Sequence, residues 1–343
     1  MMNIEYKRKL PSTREVQDMY PLKPADKQQK AQNDEAIRKI FTGEDDRLAL
    51  IVGPCSADRD DAVLDYIGKL RGLQEKVEEK ILIIPRVYTN KPRTTGEGYK
   101  GMLHQPDPTQ RPNLLKGVIA IRKLHIKVLQ ETGFSCADEM LYPENYRFLS
   151  DVLGYVAVGA RSVENQQHRL VASGINVPVG MKNPTSGDLT VMMNSIKAAQ
   201  AAHTFIFTDR EVASKGNPMT HAILRGAVDR YGFSQPNYHF EDLHAVSDLY
   251  QQGDYQNPGI IIDCNHANSG KRYEEQIRIA KEVLHSTRHS EPIYKLIKGL
   301  MIESYLEDGN QAPDGGVYGK SITDACLGWE KTEKLVLDLA EVR

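Results

Sequence analysis

Residues 48–56 read LALIVGPCS, five apolar residues followed by a glycine, a proline, a cysteine and a serine. A run this short, with no polar face, is expected of a strand buried on both sides in a parallel sheet. The same texture returns along the chain in ILIIPRVY (81–88), SCADEML (135–141), YVAVGA (155–160) and VPVGMK (177–182). It continues in HTFIFTD (203–209), HAILRG (221–226), GIIIDCNH (259–266) and IKGLMIES (297–304). Helical patterns fill most of the gaps, at 114–130, 189–202, 273–284 and 325–339. Strand and helix alternating this regularly predict an α/β fold. The runs number nine, one more than a closed barrel of eight strands needs. Run 203–209 leads into the turn-rich TDREVASKGNP, so 203–217 is read as a β-hairpin inserted before strand 6. That leaves a (β/α)8 TIM barrel. The competing architecture is an open, doubly wound sheet of nine strands. Its dinucleotide-binding version has no support, because no G-x-G-x-x-G follows the first run.

Outside these runs, residues 1–45 are polar and broken by Pro11, Pro21 and Pro24, which suggests an arm followed by a helix near 26–41. The chain therefore divides into an N-terminal arm and helix, 1–45, and a barrel, 46–343. Over all 343 residues, 44 Lys and Arg face 46 Asp and Glu, a formal charge of −2. That balance argues against nucleic acid or an anionic membrane as a partner, since both select a basic excess. With 40% hydrophobic and 26% charged residues, whole-chain disorder is excluded. MMNIEYKRKLP has no apolar stretch behind its charges, and no apolar run approaches membrane length. Four widely spaced cysteines, 55, 136, 264 and 326, read as reduced thiols. A soluble, cytoplasmic protein is expected.

In a barrel, the carboxyl ends of all strands converge on one mouth, where the active sites of this fold lie. Here each run delivers an ionisable or metal-binding side chain at that end: Cys55, Arg86, Glu139, Arg161, Lys182, Arg225, His266 and Glu303. Lys91 and Arg93 join them from the loop NKPRTTG. Six cations in one mouth are costly unless anions neutralise them. Two phosphates and a carboxylate would bring roughly four to five negative charges. Arginine forks match both anions, and helix N-termini after Arg161 and near Asp188 would add backbone donors. The plainer alternative is that each cation pairs with a barrel carboxylate. A second set, Cys55, His266, Glu303 and Asp324, combines a thiolate, an imidazole and two carboxylates, donors suited to Mn, Fe, Co or Zn. Each also has a structural reading: Cys55 as core, His266 as a satisfied core histidine, Glu303 as an arginine's partner, and Asp324 in a Ser321-x-x-Asp helix cap.

The motifs GPCS, RVYTNKPRTTGEGYKG, GARSVENQQHR, GMKNPTSGD, ILRG, DCNHANSGK, GLMIES and YGKSITDACLGWE occur in this order. From about residue 46 to the C-terminus they closely resemble the type I 3-deoxy-D-arabino-heptulosonate-7-phosphate (DAHP) synthases of the shikimate pathway. The resemblance implies condensation of phosphoenolpyruvate with erythrose 4-phosphate and release of phosphate. It implies Cys55, His266, Glu303 and Asp324 as ligands of a divalent metal ion. Arg86, Lys91, Arg161, Lys182 and Arg225, with the backbone near Ala160, match the family's phosphoenolpyruvate contacts. Pro92, Arg93 and Thr94 match its erythrose phosphate loop. Lys91 and Glu139 are both candidates for proton transfer, and Arg161 and Lys182 for holding charge as phosphate leaves. A homodimer or homotetramer follows from the same resemblance, with the arm and hairpin serving subunit contacts and feedback control. The sequence departs from the family in an extra residue in TTGEGYKG, a longer LRGAVDRYGFSQPNYH and a short hairpin carrying the bulky Phe207. Weak or absent sensitivity to phenylalanine, tyrosine and tryptophan is expected.

Overall fold

The computed structural model describes residues 2–93 and 97–343. Its strands in chain order are β1 (Leu48–Gly53), β2 (Ile81–Pro85), β3 (Ala137–Glu139), β4 (Tyr155–Val158) and β5 (Val179–Lys182). Next come β6 (Thr204–Phe207), β7 (Arg210–Ala213), β8 (Thr220–Leu224), β9 (Ala227–Val228), β10 (Ser234–Gln235), β11 (Ile260–Asp263) and β12 (Ile297–Glu303). Eight of them form one sheet in the order β2-β1-β12-β11-β8-β5-β4-β3. All its pairings are parallel. Its two edges meet through a parallel bridge between Arg86 and Ala137, where the Val87 N–H donates to the Ala137 carbonyl at 2.9 Å. The sheet is thus a closed (β/α)8 barrel, and the open nine-stranded alternative is excluded. β6 and β7 pair antiparallel outside the sheet, within the expected hairpin.

Alternation along the strands sends every second side chain inward. Ala49, Ile51, Ile84, Ala137, Tyr155, Ala157, Ile223, Ile261 and Met301 belong to one buried interior cluster. Gly180 leaves room for Tyr155 there, since a Cβ at that position would stand 2.2 Å from the tyrosine oxygen. At the base the filling comes from outside the sheet. Helix Pro24–Thr42 contributes Ile37, Ile40 and Phe41 to the same cluster. Local chemistry fixes the ends of that helix: Pro24 opens it, the Asp26 carboxylate accepts from the Lys23 N–H at 3.0 Å, and Gly43 closes it at φ 79°. The Phe41 ring lies 4.4 Å from that of His221 and 5.8 Å from that of Tyr155. His221 Nε2 is 2.8 Å from the Tyr155 hydroxyl, and burial pushes its pKa down to about 4, so the pair is neutral.

The longer helices cover the outside of the sheet, among them Asp60–Val77, Leu114–Thr132, Leu189–Gln200, Phe240–Gln252, Glu275–Thr287 and Trp329–Val342. No helix among the described residues is long and apolar enough to cross a membrane. The structure corrects two expectations. The last helix starts at Trp329, not Ala325, because bridges from Ser304 to Leu327 and from Gly309 to Cys326 hold that stretch against the end of β12. After Arg161 no helix begins. The chain turns back, with the Ser162 and Val163 N–H groups donating to the Gly159 carbonyl, and a helix follows only at Gln166 under an Asn165 cap.

Candidate active site

Two residues above the apolar interior, the same inward alternation reaches the mouth. Ile84 is followed by Arg86, Ala137 by Glu139, Ile223 by Arg225, Ile261 by Asp263 and Met301 by Glu303. Arg86, Lys91, Pro92, Arg93, Glu139, Ala160, Arg161, Lys182, Arg225, His266 and Asp324 line one cavity of about 180 Å³. Cys55 and Glu303 are buried beside Arg86, while Thr94 lies outside the described residues. Gly159 keeps the wall open at Glu139, since a Cβ there would meet the carboxylate at 2.5 Å.

The alternative in which every cation has its own carboxylate holds for two of them. Arg86 donates to Glu303 Oε1 at 2.9 Å, with both side chains 1% exposed, and also to the Pro54 and Cys55 carbonyls. Its guanidinium stacks 3.7 Å from the Tyr88 ring centre. Lys182 Nζ sits 3.2 Å from Asp263 Oδ2. Among the described residues, Arg93, Arg161 and Arg225 form no ion pair. Burial, followed by the nearby Arg161 charge, pulls the Arg225 pKa down despite attraction from Asp263, and its Nη1 lacks a hydrogen-bond partner. Among the described residues no carboxylate pairs with these three cations, an arrangement suited to a bound anion. The expected helix contribution is smaller than supposed. Asp188 caps helix Leu189–Gln200 itself, accepting from the Thr190 and Val191 N–H groups, so those donors are already used.

Beside the cations, donor atoms of Cys55, Glu303 and Asp324 all lie within 4.8 Å of one another. His266 stands at the edge of this group, with Nε2 4.0 Å from Glu303 Oε1 and Nδ1 2.8 Å from Asp263 Oδ2. The latter distance suits an ion pair, but the angle is too poor for a hydrogen bond. His266 has a left-handed backbone at φ 51°, a conformation that costs energy and recurs where side chains are held for function. Burial pushes the Cys55 thiol up, the Glu303 charge adds to this, and Lys91, with Nζ 2.9 Å from Sγ, offsets only part of it. Burial opposes ionisation of Glu303 as well, but Arg86, His266 and Lys91 hold its pKa below the usual carboxylate range. Asp324 is half-buried, and against the pull of that burial it is likewise held low, by Lys91, Lys271 and His266. A thiol kept neutral between two carboxylates, with an imidazole at the rim, fits a borderline divalent cation, which would ionise the sulfur. The helix-cap reading of Asp324 fails, because Ser321 Oγ donates to the Asp324 carbonyl at 2.8 Å and no helix begins there.

Several residues at the site escaped sequence reasoning. Asp263 joins Lys182 to His266, and burial notwithstanding, the charges of His266 and Lys182 hold its carboxyl far below the usual range. Asn265 Nδ2 donates to Glu303 Oε2 at 2.6 Å. Gln276 holds the Glu303 backbone on both sides, at 2.8 and 3.0 Å. Lys271 reaches Asp324 at 3.4 Å, and the Cys55 N–H points to Cys326 Sγ at 3.4 Å. Counting two residues on from Ile261 would have found Asp263. Asn265 and Gln276 act behind other side chains, and strand-end position carries no signal for them.

Known proteins resemble this chain over most of its length. The DAHP synthetase I family model matches residues 23–337. The tryptophan-sensitive phospho-2-dehydro-3-deoxyheptonate aldolase of Escherichia coli O157:H7 is 35% identical over 329 residues, covering 94% of this chain and 91% of that protein. The phospho-2-dehydro-3-deoxyheptonate aldolase of Haemophilus influenzae is 38% identical over 311 residues, covering 88% and 83%. The solved structure of the enzyme of that name from Francisella tularensis SCHU S4 superposes with a TM-score of 0.91 at 34% identity, covering 99% of this chain and 98% of the other. With family model, overall sequence and fold in agreement, the chain belongs to the DAHP synthetase I family.

Proposed function

We infer that this protein condenses phosphoenolpyruvate with D-erythrose 4-phosphate and water, giving 3-deoxy-D-arabino-heptulosonate 7-phosphate and phosphate. This is the first step of aromatic amino acid biosynthesis. The observation that carries the reading is a single cavity in which unpaired cations adjoin a cluster of sulfur, nitrogen and carboxylate donors. Cys55, His266, Glu303 and Asp324 would hold a divalent ion, with Mn, Fe, Co and Zn all compatible with the donor set. When bound, such an ion supplies Lewis acidity toward the aldehyde oxygen.

The chain's own side chains do the rest. Arg161, Lys182 and Arg225, with Arg86 and Lys91 behind them, bind the phosphate and carboxylate of phosphoenolpyruvate and orient its methylene carbon toward the aldehyde carbon. Pro92, Arg93 and Thr94 receive the phosphate of the aldose. As the new C–C bond forms, positive charge develops on the adjacent carbon and water adds there. Arg161 and Lys182 then hold the negative charge that leaves with phosphate. Lys91, buried against Cys55, and Glu139, at the cavity wall, are the two groups placed to move protons.

Residues 1–45 and the β6–β7 hairpin are read as oligomer or regulatory elements of a homodimer or homotetramer. Helix Pro24–Thr42 is committed to the barrel base, so the exposed residues preceding it are those left for a second copy. Phe207 packs against the core beneath Arg147, 5.7 Å from its ring, and this supports weak or absent inhibition by aromatic amino acids. Strong inhibition by any of the three in a steady-state assay overturns that expectation. The decisive test of function is incubation of pure protein with Mn²⁺ and both substrates, reading phosphate release and the seven-carbon product. Faster turnover with a different aldose phosphate would reassign the second substrate. No turnover with any would leave a silent ligand-binding barrel.

A further inference from the structure

One buried acid beside the mouth has no task in the scheme above. Asp138 lies in β3 between Ala137, which faces the barrel interior, and Glu139, which lines the cavity. Alternation therefore turns its carboxylate outward, into the layer between the sheet and helix Leu114–Thr132. That layer is ordinarily apolar, and a carboxylate there is costly unless it is well bonded. Asp138 is 3% exposed. From the helix, His125 faces it, 2% exposed, with Nε2 3.5 Å from Asp138 Oδ2 and no hydrogen bond to either ring nitrogen.

What Asp138 grips is Thr89, just beyond β2. Its Oδ1 accepts from the Thr89 N–H at 2.9 Å and its Oδ2 from Thr89 Oγ1 at 2.5 Å. Oδ1 also accepts from the Glu139 N–H at 2.7 Å. The Thr89 carbonyl accepts from the Leu103 N–H at 3.1 Å, so Thr89 is held on three sides. Two residues further on, Lys91 reaches Cys55, and Pro92 and Arg93 enter the cavity. The segment 89–93 belongs to no helix or strand, so these bonds at its root fix where its cations stand.

We propose that Asp138, acting through Thr89, is a positioning residue that sets how Pro92 and Arg93 meet the aldose phosphate. The inference rests on the function proposed above and adds the device that makes one substrate's subsite. The other substrate depends on it less, since of its contacts only Lys91 lies in that segment. Arg161, Lys182 and Arg225 come from the exits of β4, β5 and β8, whereas Pro92 and Arg93 come only from the clamped segment.

The test compares wild type with Asp138→Ala and Thr89→Val in the full-length, Mn²⁺-loaded protein, varying each substrate in turn. Calorimetry measures phosphoenolpyruvate binding without aldose. The KM for erythrose 4-phosphate should rise about ten-fold in Asp138→Ala and about three-fold in Thr89→Val, with phosphoenolpyruvate affinity within about two-fold. An unchanged aldose KM in both variants, or an equal loss for both substrates, overturns the proposal. Thr89→Val keeps the backbone bond to Asp138, so it decides the matter alone should Asp138→Ala fail to fold. Amide exchange over 87–93 gives a readout that needs no turnover, and unchanged exchange in both variants also overturns the clamp. A wild type that makes no seven-carbon product counts against the function instead, while the exchange result still judges the clamp.

Discussion

The two ends of this barrel are built from the same strands and have opposite characters. At the base, Phe41, Ile37 and Ile40 seal an apolar interior whose polar pair, Tyr155 and His221, is neutral. At the mouth, Arg86 with Glu303 and Lys182 with Asp263 are charged pairs almost fully withdrawn from water. Only two residues separate the regimes along a strand, about 7 Å of rise. The base gains stability from apolar burial, while the mouth gives some of it up by burying charge. Substitutions at the base should therefore act on folding, and those at the mouth on turnover and binding.

The largest expected effect lies at the mouth. Cys55→Ala should lower turnover by about 10³-fold or more while leaving the protein folded, as read by kcat, metal content and circular dichroism. Retained turnover with full metal content would remove Cys55 from the donor set. At the base, Phe41→Ala should cost about 3–5 kcal/mol of stability in urea titration, with activity per folded molecule unchanged. If activity instead falls in a protein that stays folded, the separation of the two ends is broken.

A smaller effect follows from pH. His221 takes a proton readily in the unfolded chain, but in the fold only near pH 4, so its contribution is complete above pH 6.5 and lost as pH falls toward 4. Stability should drop by about 2 kcal/mol between pH 6.5 and 5 from this group alone. His221→Asn should flatten that slope, and an unaltered slope would place its origin elsewhere. The smallest effect is at the rim. Arg161 is exposed and forms no ion pair among the described residues, so Arg161→Ala should weaken phosphoenolpyruvate binding about ten-fold, seen by calorimetry, with melting unchanged. A large drop in melting temperature would show that Arg161 supports the fold.

The barrel was legible because buried parallel strands read as short runs without a polar face, as in LALIVG and GIIID. The inserted hairpin showed itself by the turn chemistry after Phe207. Helix starts were harder. Ser162 follows a strand as a cap would, yet Gly159 draws its N–H into a tight turn, and that choice depends on a carbonyl that sequence does not position. Most of the cation and donor sets came from strand ends, with Lys91 and Arg93 added from the loop after the second run and Asp324 from beyond the last. Asp263 was passed over because His266 was taken as the end of its strand, whereas β11 stops at Asp263 and the chain reaches His266 in a left-handed turn. Asn265 and Gln276 were invisible for another reason, since their partners are brought near only by barrel closure.

That closure has an uneven hem. Around most of the barrel, neighbouring strands share three to five registered partners, but among the described residues β2 and β3 share a single backbone bridge, Arg86 with Ala137, below the side-chain bonds of Asp138 to Thr89. Staves joined by a single rung breathe more readily than those joined by several. This join opens directly beneath the segment that leads to Lys91 and Arg93. Deuterium should therefore enter the Val87 amide before those of the other barrel walls, and sooner still once the Asp138 strap to Thr89 is cut.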